Sequence, residues 1–184
     1  MGRGSSHSNG GGGAKRKKGN RENGLELYRQ FVEGGSFDIH RKLGYDPMFD
    51  RLIDPDSQVA RDLESVFSPA ETDINVYKGF PATDAQLDQI RSGSFSNPTI
   101  SSTTTSKAAA HHYADGDPEY TTPVMMNVTI KKGTKIANAR KLLGNNGMKA
   151  FEQEVTVWKG TKWNFGKLKP SGDGYVVNVT VSSR

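Results

Sequence analysis

Residues 152–158 read Glu152-Gln153-Glu154-Val155-Thr156-Val157-Trp158. β-Branched and aromatic residues favour a pleated, half-buried surface, so a strand is expected over residues 154–158. Side chains two apart on a strand share a face. Glu152 and Glu154 would therefore turn both carboxylates to one side while Gln153 points away. Like charges that close are unfavourable unless water, a cation or a cationic substrate answers them. Taken alone, the pair also fits an exposed strand edge whose acids discourage aggregation.

Upstream, Ile100-Ser101-Ser102-Thr103-Thr104 is a hydroxyl-rich, β-prone run. Ser106 follows as the cap of a short helix through Lys107, Ala108, Ala109, Ala110 and Tyr113. Earlier, Val76 and Tyr77 begin a strand that leads into Lys78 and Gly79. Thr83 with Gln86 then forms a capping box for a helix carrying Leu87 and Ile90. Further strands are expected at 124–130, 163–168 and 175–181. Toward the start of the chain, Leu25, Leu27, Tyr28, Phe31 and Val32 suggest a helix ended by Gly34 and Gly35. Asp54 as cap and Pro55 in the first turn begin another, with Val59, Leu63, Val66 and Phe67 on one face. Helices first and strands afterwards is the order of an α+β domain.

The chain has 184 residues and 33% apolar content, enough for one core and one site. Residues 1–24 carry Arg3, Lys15, Arg16, Lys17, Lys18 and Arg21 against Glu22 alone, and the remainder balances 19 basic with 19 acidic residues. The net charge of +5 thus belongs to a Gly-rich lead, which is expected to be disordered, ahead of a domain over 25–184. The cluster Lys15, Arg16, Lys17 and Lys18 is a possible contact for nucleic acid or another acidic partner, or simply a solubilising run. With no cysteines, disulfides and cysteine-ligated zinc are excluded. His111 and His112 are adjacent rather than four apart, so no metal is expected. No stretch reaches the roughly 18–20 apolar residues of a membrane span, and no apolar signal segment opens the chain. Cytoplasmic synthesis, or delivery into a host cell, is the expectation.

Tyr77-Lys78-Gly79, Ser102-Thr103-Thr104 and Glu152-Gln153-Glu154-Val155 occur in the order that resembles the arginine-serine-glutamate class of mono-ADP-ribosyltransferases, a class of bacterial toxins, phage enzymes and vertebrate ecto-enzymes. Ala110 and Tyr113 after the serine motif, and Lys159-Gly160-Thr161-Lys162 after the glutamate strand, extend the resemblance over about residues 74–168. It implies an ADP-ribosyltransferase fold, with two antiparallel sheets around a cleft for NAD and helices before them. It also implies that NAD is a substrate and that no metal takes part.

On this resemblance Glu154 stabilises the positive charge that develops as the nicotinamide bond breaks, and must be ionised. Ser102 orients Glu154, Thr103 supports the cleft, and Gly79 allows close backbone approach to the nicotinamide amide. Glu152 meets the acceptor, which implies arginine on a protein target, because a carboxylate pairs with guanidinium. The stretch 143–151 stands where the family has its target-recognition loop. Met148 and Phe151 there are candidate apolar contacts, with inward packing of Phe151 as the alternative. Lys78 replaces the family's arginine, a compact charge for a planar fork, and this predicts weaker or displaced NAD binding. A transferase to protein arginine leads. An NAD glycohydrolase and a non-enzymatic NAD or nucleic-acid binding module are the alternatives.

Overall fold

Asn20 accepts a hydrogen bond from the Asn23 amide at 3.1 Å and so starts the first helix four residues before the expected domain boundary. The reason is tertiary. Buried Asp62 accepts from the Asn20 amide at 2.7 Å and from Asn23 Nδ2 at 3.3 Å, and a Cβ on Gly24 would lie 2.1 Å from the Asp62 carbonyl oxygen. The start of this helix is held by another helix, which local composition does not report.

The computed structural model describes residues 17–96, 99–144 and 153–184. The lead segment holds α1 (Arg21–Gln30), a π-helical turn (Phe31–Gly35), α2 (Ser36–Lys42), β1 (Tyr45–Asp46), β2 (Arg51–Leu52) and α3 (Ser57–Glu64). Then come β3 (Ser68–Pro69), β4 (Ile74–Ala82), α4 (Asp84–Ser92), β5 (Ser101–Thr104), α5 (Lys107–Ala114), β6 (Thr122–Ile130), β7 (Lys135–Asn138) and α6 (Ala139–Leu143). The chain closes with β8 (Glu154–Val157), β9 (Lys162–Phe165), β10 (Lys169–Ser171) and β11 (Gly174–Ser182). Among the described residues, no helix is long and apolar enough to cross a membrane.

Several local signals act as the sequence predicts. The Thr83–Gln86 capping box opens α4, and Ser106 accepts from the Ala109 amide at 3.1 Å to open α5. The cap of α3 is Asp56 rather than Asp54, because Asp56 accepts from both Gln58 and Val59 amides. Gly34, at φ 111°, does not end the helical region. It kinks it, and α2 continues beyond.

The fold is α+β with a mostly antiparallel sheet and helices, as the sequence leads one to expect, and two details of the sheet are added by the structure. First, β1 and β2 pair antiparallel as a small ribbon of their own, while the other nine strands form one sheet whose halves are joined by a single pair, Tyr77↔Thr104. One half centres on β6, paired with β4 from Ile74↔Ile130 to Ala82↔Thr122; the other runs β5–β8–β7–β3. Secondly, β11 pairs with β6 in parallel, from Tyr175↔Val124 to Val181↔Ile130. The connection between these two strands crosses the other half of the sheet and returns the chain to the same end, which parallel pairing requires. Period-two alternation buries Val177, Val179 and Val181 of β11 with Val124, Val128 and Ile130 of β6, and α4 adds Leu87 and Ile90. A second core forms where Tyr28, Phe31, Ile39, Leu63 and Phe67 of the helical segment meet Trp158.

Past Tyr77↔Thr104 the halves of the sheet diverge. The edge of β4 at Lys78 and Gly79 is left bordering a cleft, with β5 and β8 as the opposite wall.

Candidate active site

The β5–β8 register sets Ser102 opposite Thr156 and Thr104 opposite Glu154. Glu154 and Thr156, two apart, share a face with Ser102. Ser102 Oγ donates diagonally to Glu154 Oε1 at 2.8 Å, and Thr156 Oγ1 donates to the same oxygen at 3.0 Å. Thr103, buried, donates instead to the Val155 carbonyl at 2.5 Å, which ties the two strands together. From the facing wall, Lys78 Nζ donates to the Ser102 carbonyl at 3.0 Å.

These groups border a cavity of about 430 Å³, lined by Lys78, Gly79, Ser102, Thr103 and Glu154 among others. All five described site residues singled out from the sequence meet there. Glu152, Met148, Phe151, Lys15 and Arg16 lie outside the described residues; Lys17 and Lys18 are exposed. Gly79 also meets a steric demand within the fold, since a Cβ there would lie 1.7 Å from the Ala110 carbonyl oxygen of α5. Its bare Cα lets α5 pack against β4, and this packing sets the position of the β4 wall.

Sequence reasoning missed part of the lining. Phe31, Val32 and Gly34 of the π-helical turn, with Ser36 of α2, close one side. Thr156 was legible in principle, because a residue two beyond Glu154 on a strand must share its face. Tyr28 carried no such signal, and as an apolar-periodic position it reads as packing. A second cavity of about 780 Å³ lies beyond, sharing Phe31, Ser36, Lys78 and Ser102 with the first and adding His40, Arg51, Thr99 and Ser101. Lys78 and Ser102 thus stand where the two chambers meet.

Burial raises the Glu154 carboxyl above its usual range, while the Ser102 and Thr156 hydroxyls and the charge of Lys78 pull it back. The Lys78 amine is lowered to about 8 by burial, against the opposing pull of Glu154. His40, pushed down to about 4 by burial and then by Lys78, is neutral near pH 7. It contacts the Thr99 hydroxyl and meets the Phe31 ring edge-on at 5.7 Å. Glu154 and Lys78 thus act on each other's charge across a cleft that has an aromatic side.

The fold is similar to that of several solved structures. The Vis toxin of Vibrio splendidus, an ADP-ribosyltransferase solved with an inhibitor, superposes with a TM-score of 0.57 at 14% identity, covering 86% of this chain and 72% of that one. C3stau2 of S. aureus, solved with NAD, gives 0.56 at 18% identity over 93% of this chain and 90% of that one. Exoenzyme S of Pseudomonas aeruginosa, bound to carba-NAD and in complex with human 14-3-3 protein beta, gives 0.57 at 11% identity over 89% and 74%.

The chain has the fold of the bacterial ADP-ribosyltransferase toxins. At these identities the likeness is one of fold. No protein-family model matches the chain, and no curated protein matches it. Within this ADP-ribosyltransferase fold, the chemistry is read from the cleft itself.

Proposed function

We propose that the protein is an NAD-consuming mono-ADP-ribosyltransferase that modifies arginine on a protein target. One observation carries the reading: Glu154 sits at the cleft with both of its hydroxyl donors on Oε1, opposite Lys78, in this fold. The reading assigns the nicotinamide riboside to the smaller chamber and the adenosine to the larger. The pyrophosphate then lies near the Lys78 ammonium where they meet. Both chambers fall in the roughly 300–1,000 Å³ range of ligand sites.

Glu154 Oε2 accepts a hydrogen bond from a ribose hydroxyl and, remaining ionised, stabilises charge as the bond from C1′ to the nicotinamide nitrogen breaks. The bonding electrons leave with nicotinamide, and positive charge grows on the ribose. A guanidino nitrogen then attacks C1′ and releases one proton to solvent, so that the product keeps a guanidinium charge. Glu152 is assigned to pair with that guanidinium, with Met148 and Phe151 as contacts to the protein around it. Arginine as acceptor draws further support from the Vis toxin, which was also solved with agmatine, a guanidinium compound.

Incubation with NAD labelled in the adenosine half tests the reading. Label on protein, lost after hydroxylamine treatment of the kind that cleaves arginine adducts, is the expected result. Free nicotinamide without labelled protein assigns the cleft to hydrolysis, and neither product reduces it to a binding module.

A further inference from the structure

Among the described residues, every hydrogen bond to the Glu154 carboxylate falls on Oε1. Thr156, one of the two donors, lies 3.1 Å from the Tyr28 hydroxyl, which is also 3.2 Å from the Ala137 carbonyl oxygen. Tyr28 and Thr156 are fully buried. Tyr28 reaches β8 from α1, on the far side of the sheet sequence from Ser102.

Proton counting gives this chain a direction. An ionised carboxylate only accepts, so the single hydroxyl proton of Thr156 goes to Glu154. Thr156 then offers Tyr28 only lone pairs, and Tyr28 must donate, sharing its proton between Thr156 and the Ala137 carbonyl. Burial, and then the Glu154 charge, push the Tyr28 hydroxyl well above its usual range, so it stays a donor. Packing alone does not call for this arrangement. A valine at 156 has nearly the shape of threonine and would leave no hydroxyl to satisfy in the interior.

We infer that Tyr28 and Thr156 are positioning residues for Glu154, holding Oε1 from the α1 side as Ser102 holds it from the β5 side and leaving Oε2 for the ribose; the purpose, though not the geometry, rests on the transferase reading. Neither residue touches a reacting atom. Lys78 from β4 is the charged group acting on Glu154, and Tyr28 from α1 is the other titratable group facing it, among the described residues. A donor to a carboxylate favours the charged form, so its removal raises the pH at which Glu154 titrates.

The test is a carboxyl titration by NMR of the full chain carrying ¹³C-labelled glutamate, the Glu154 signal being the one lost in Glu154→Gln. Thr156→Val is expected to raise the midpoint by about one pH unit. Thr156→Ser restores it, and Tyr28→Phe raises it less, because Thr156 keeps its own bond to Oε1. Should the valine variant not fold, Thr156→Ser with Tyr28→Phe carries the comparison. Midpoints unchanged in both Thr156→Val and Tyr28→Phe overturn the inference. In parallel, NAD cleavage by Thr156→Val should show kcat lowered about tenfold and KM for NAD held within about twofold. The acid limb of its rate profile should move with the titration. If the midpoint moves but the wild-type chain releases no nicotinamide, the positioning stands and the transferase reading falls.

Discussion

Glu154 on β8 receives two hydroxyl donors on one oxygen, at 2.8 and 3.0 Å, while Lys78 across the cleft on β4 makes one hydrogen bond, to the Ser102 carbonyl at 3.0 Å. Both charges are pulled toward neutrality by burial. The β5–β8 wall opposes that pull with hydrogen bonds built into a strand register. The β4 wall opposes it with little beyond the attraction of Glu154. One wall therefore holds its charged group with two hydroxyl donors, and the other presents a point charge tied to a single carbonyl and titrating at about 8. The contrast suits a reaction in which developing positive charge must meet a fixed carboxylate, whereas a pyrophosphate needs only a nearby cation.

The largest effect expected from disturbing this contrast comes from Glu154→Gln. It keeps the shape and removes the charge, and should lower nicotinamide release about 10³-fold or more. Activity within tenfold of wild type would remove Glu154 from the mechanism.

Next, Gly79→Ala forces a methyl group onto the Ala110 carbonyl, 1.7 Å away, and should cost about 1–3 kcal/mol in denaturant unfolding. An unchanged midpoint would show that α5 does not set the β4 wall.

A smaller loss, about tenfold in kcat, is expected for Ser102→Ala, which removes one of two donors. On the proposed mechanism Glu154 acts ionised, so activity falls as pH drops through its titration. The alanine variant should therefore lose activity at a higher pH than wild type. Thr103→Val, which cuts only the tie to Val155, should leave that acid limb in place. Equal movement in the two variants would mean that the pH dependence does not report the Ser102 bond.

The smallest effect belongs to Lys78. An amine titrating at about 8 is charged below that pH and neutral above it, so NAD affinity should fall severalfold between pH 7 and pH 9. Lys78→Arg stays charged throughout, should bind NAD as well or better at pH 7, and should flatten this dependence in calorimetric titration. A clear loss of binding by the arginine variant would show that residue 78 does not face the pyrophosphate.

Much of the cleft was legible because it depends on short-range geometry. Alternation along β5 and β8 places Ser102 and Glu154, and caps at Thr83 and Ser106 place α4 and α5. The misplaced start of α1 has the opposite cause. Arg21 to Gly24 look like tail until Asp62, about forty positions on, binds the Asn20 amide. Likewise, Gly34 and Gly35 look like a helix end, yet Gly34 only bends the chain so that α2 continues and the π-helical turn lines the cleft.

The sequence by itself determined the α+β class, the strands that carry Lys78, Ser102 and Glu154, and the face that Glu154 presents. Each of these follows from periodicities of two or 3.6 residues acting within a few positions. Only the tertiary structure decided that the halves of the sheet meet at one pair, Tyr77↔Thr104, and part at Lys78. It alone brought Tyr28 against Thr156 across 128 positions of chain. Such contacts depend on which surfaces bury against each other, and that is a property of the whole packed chain rather than of any window within it.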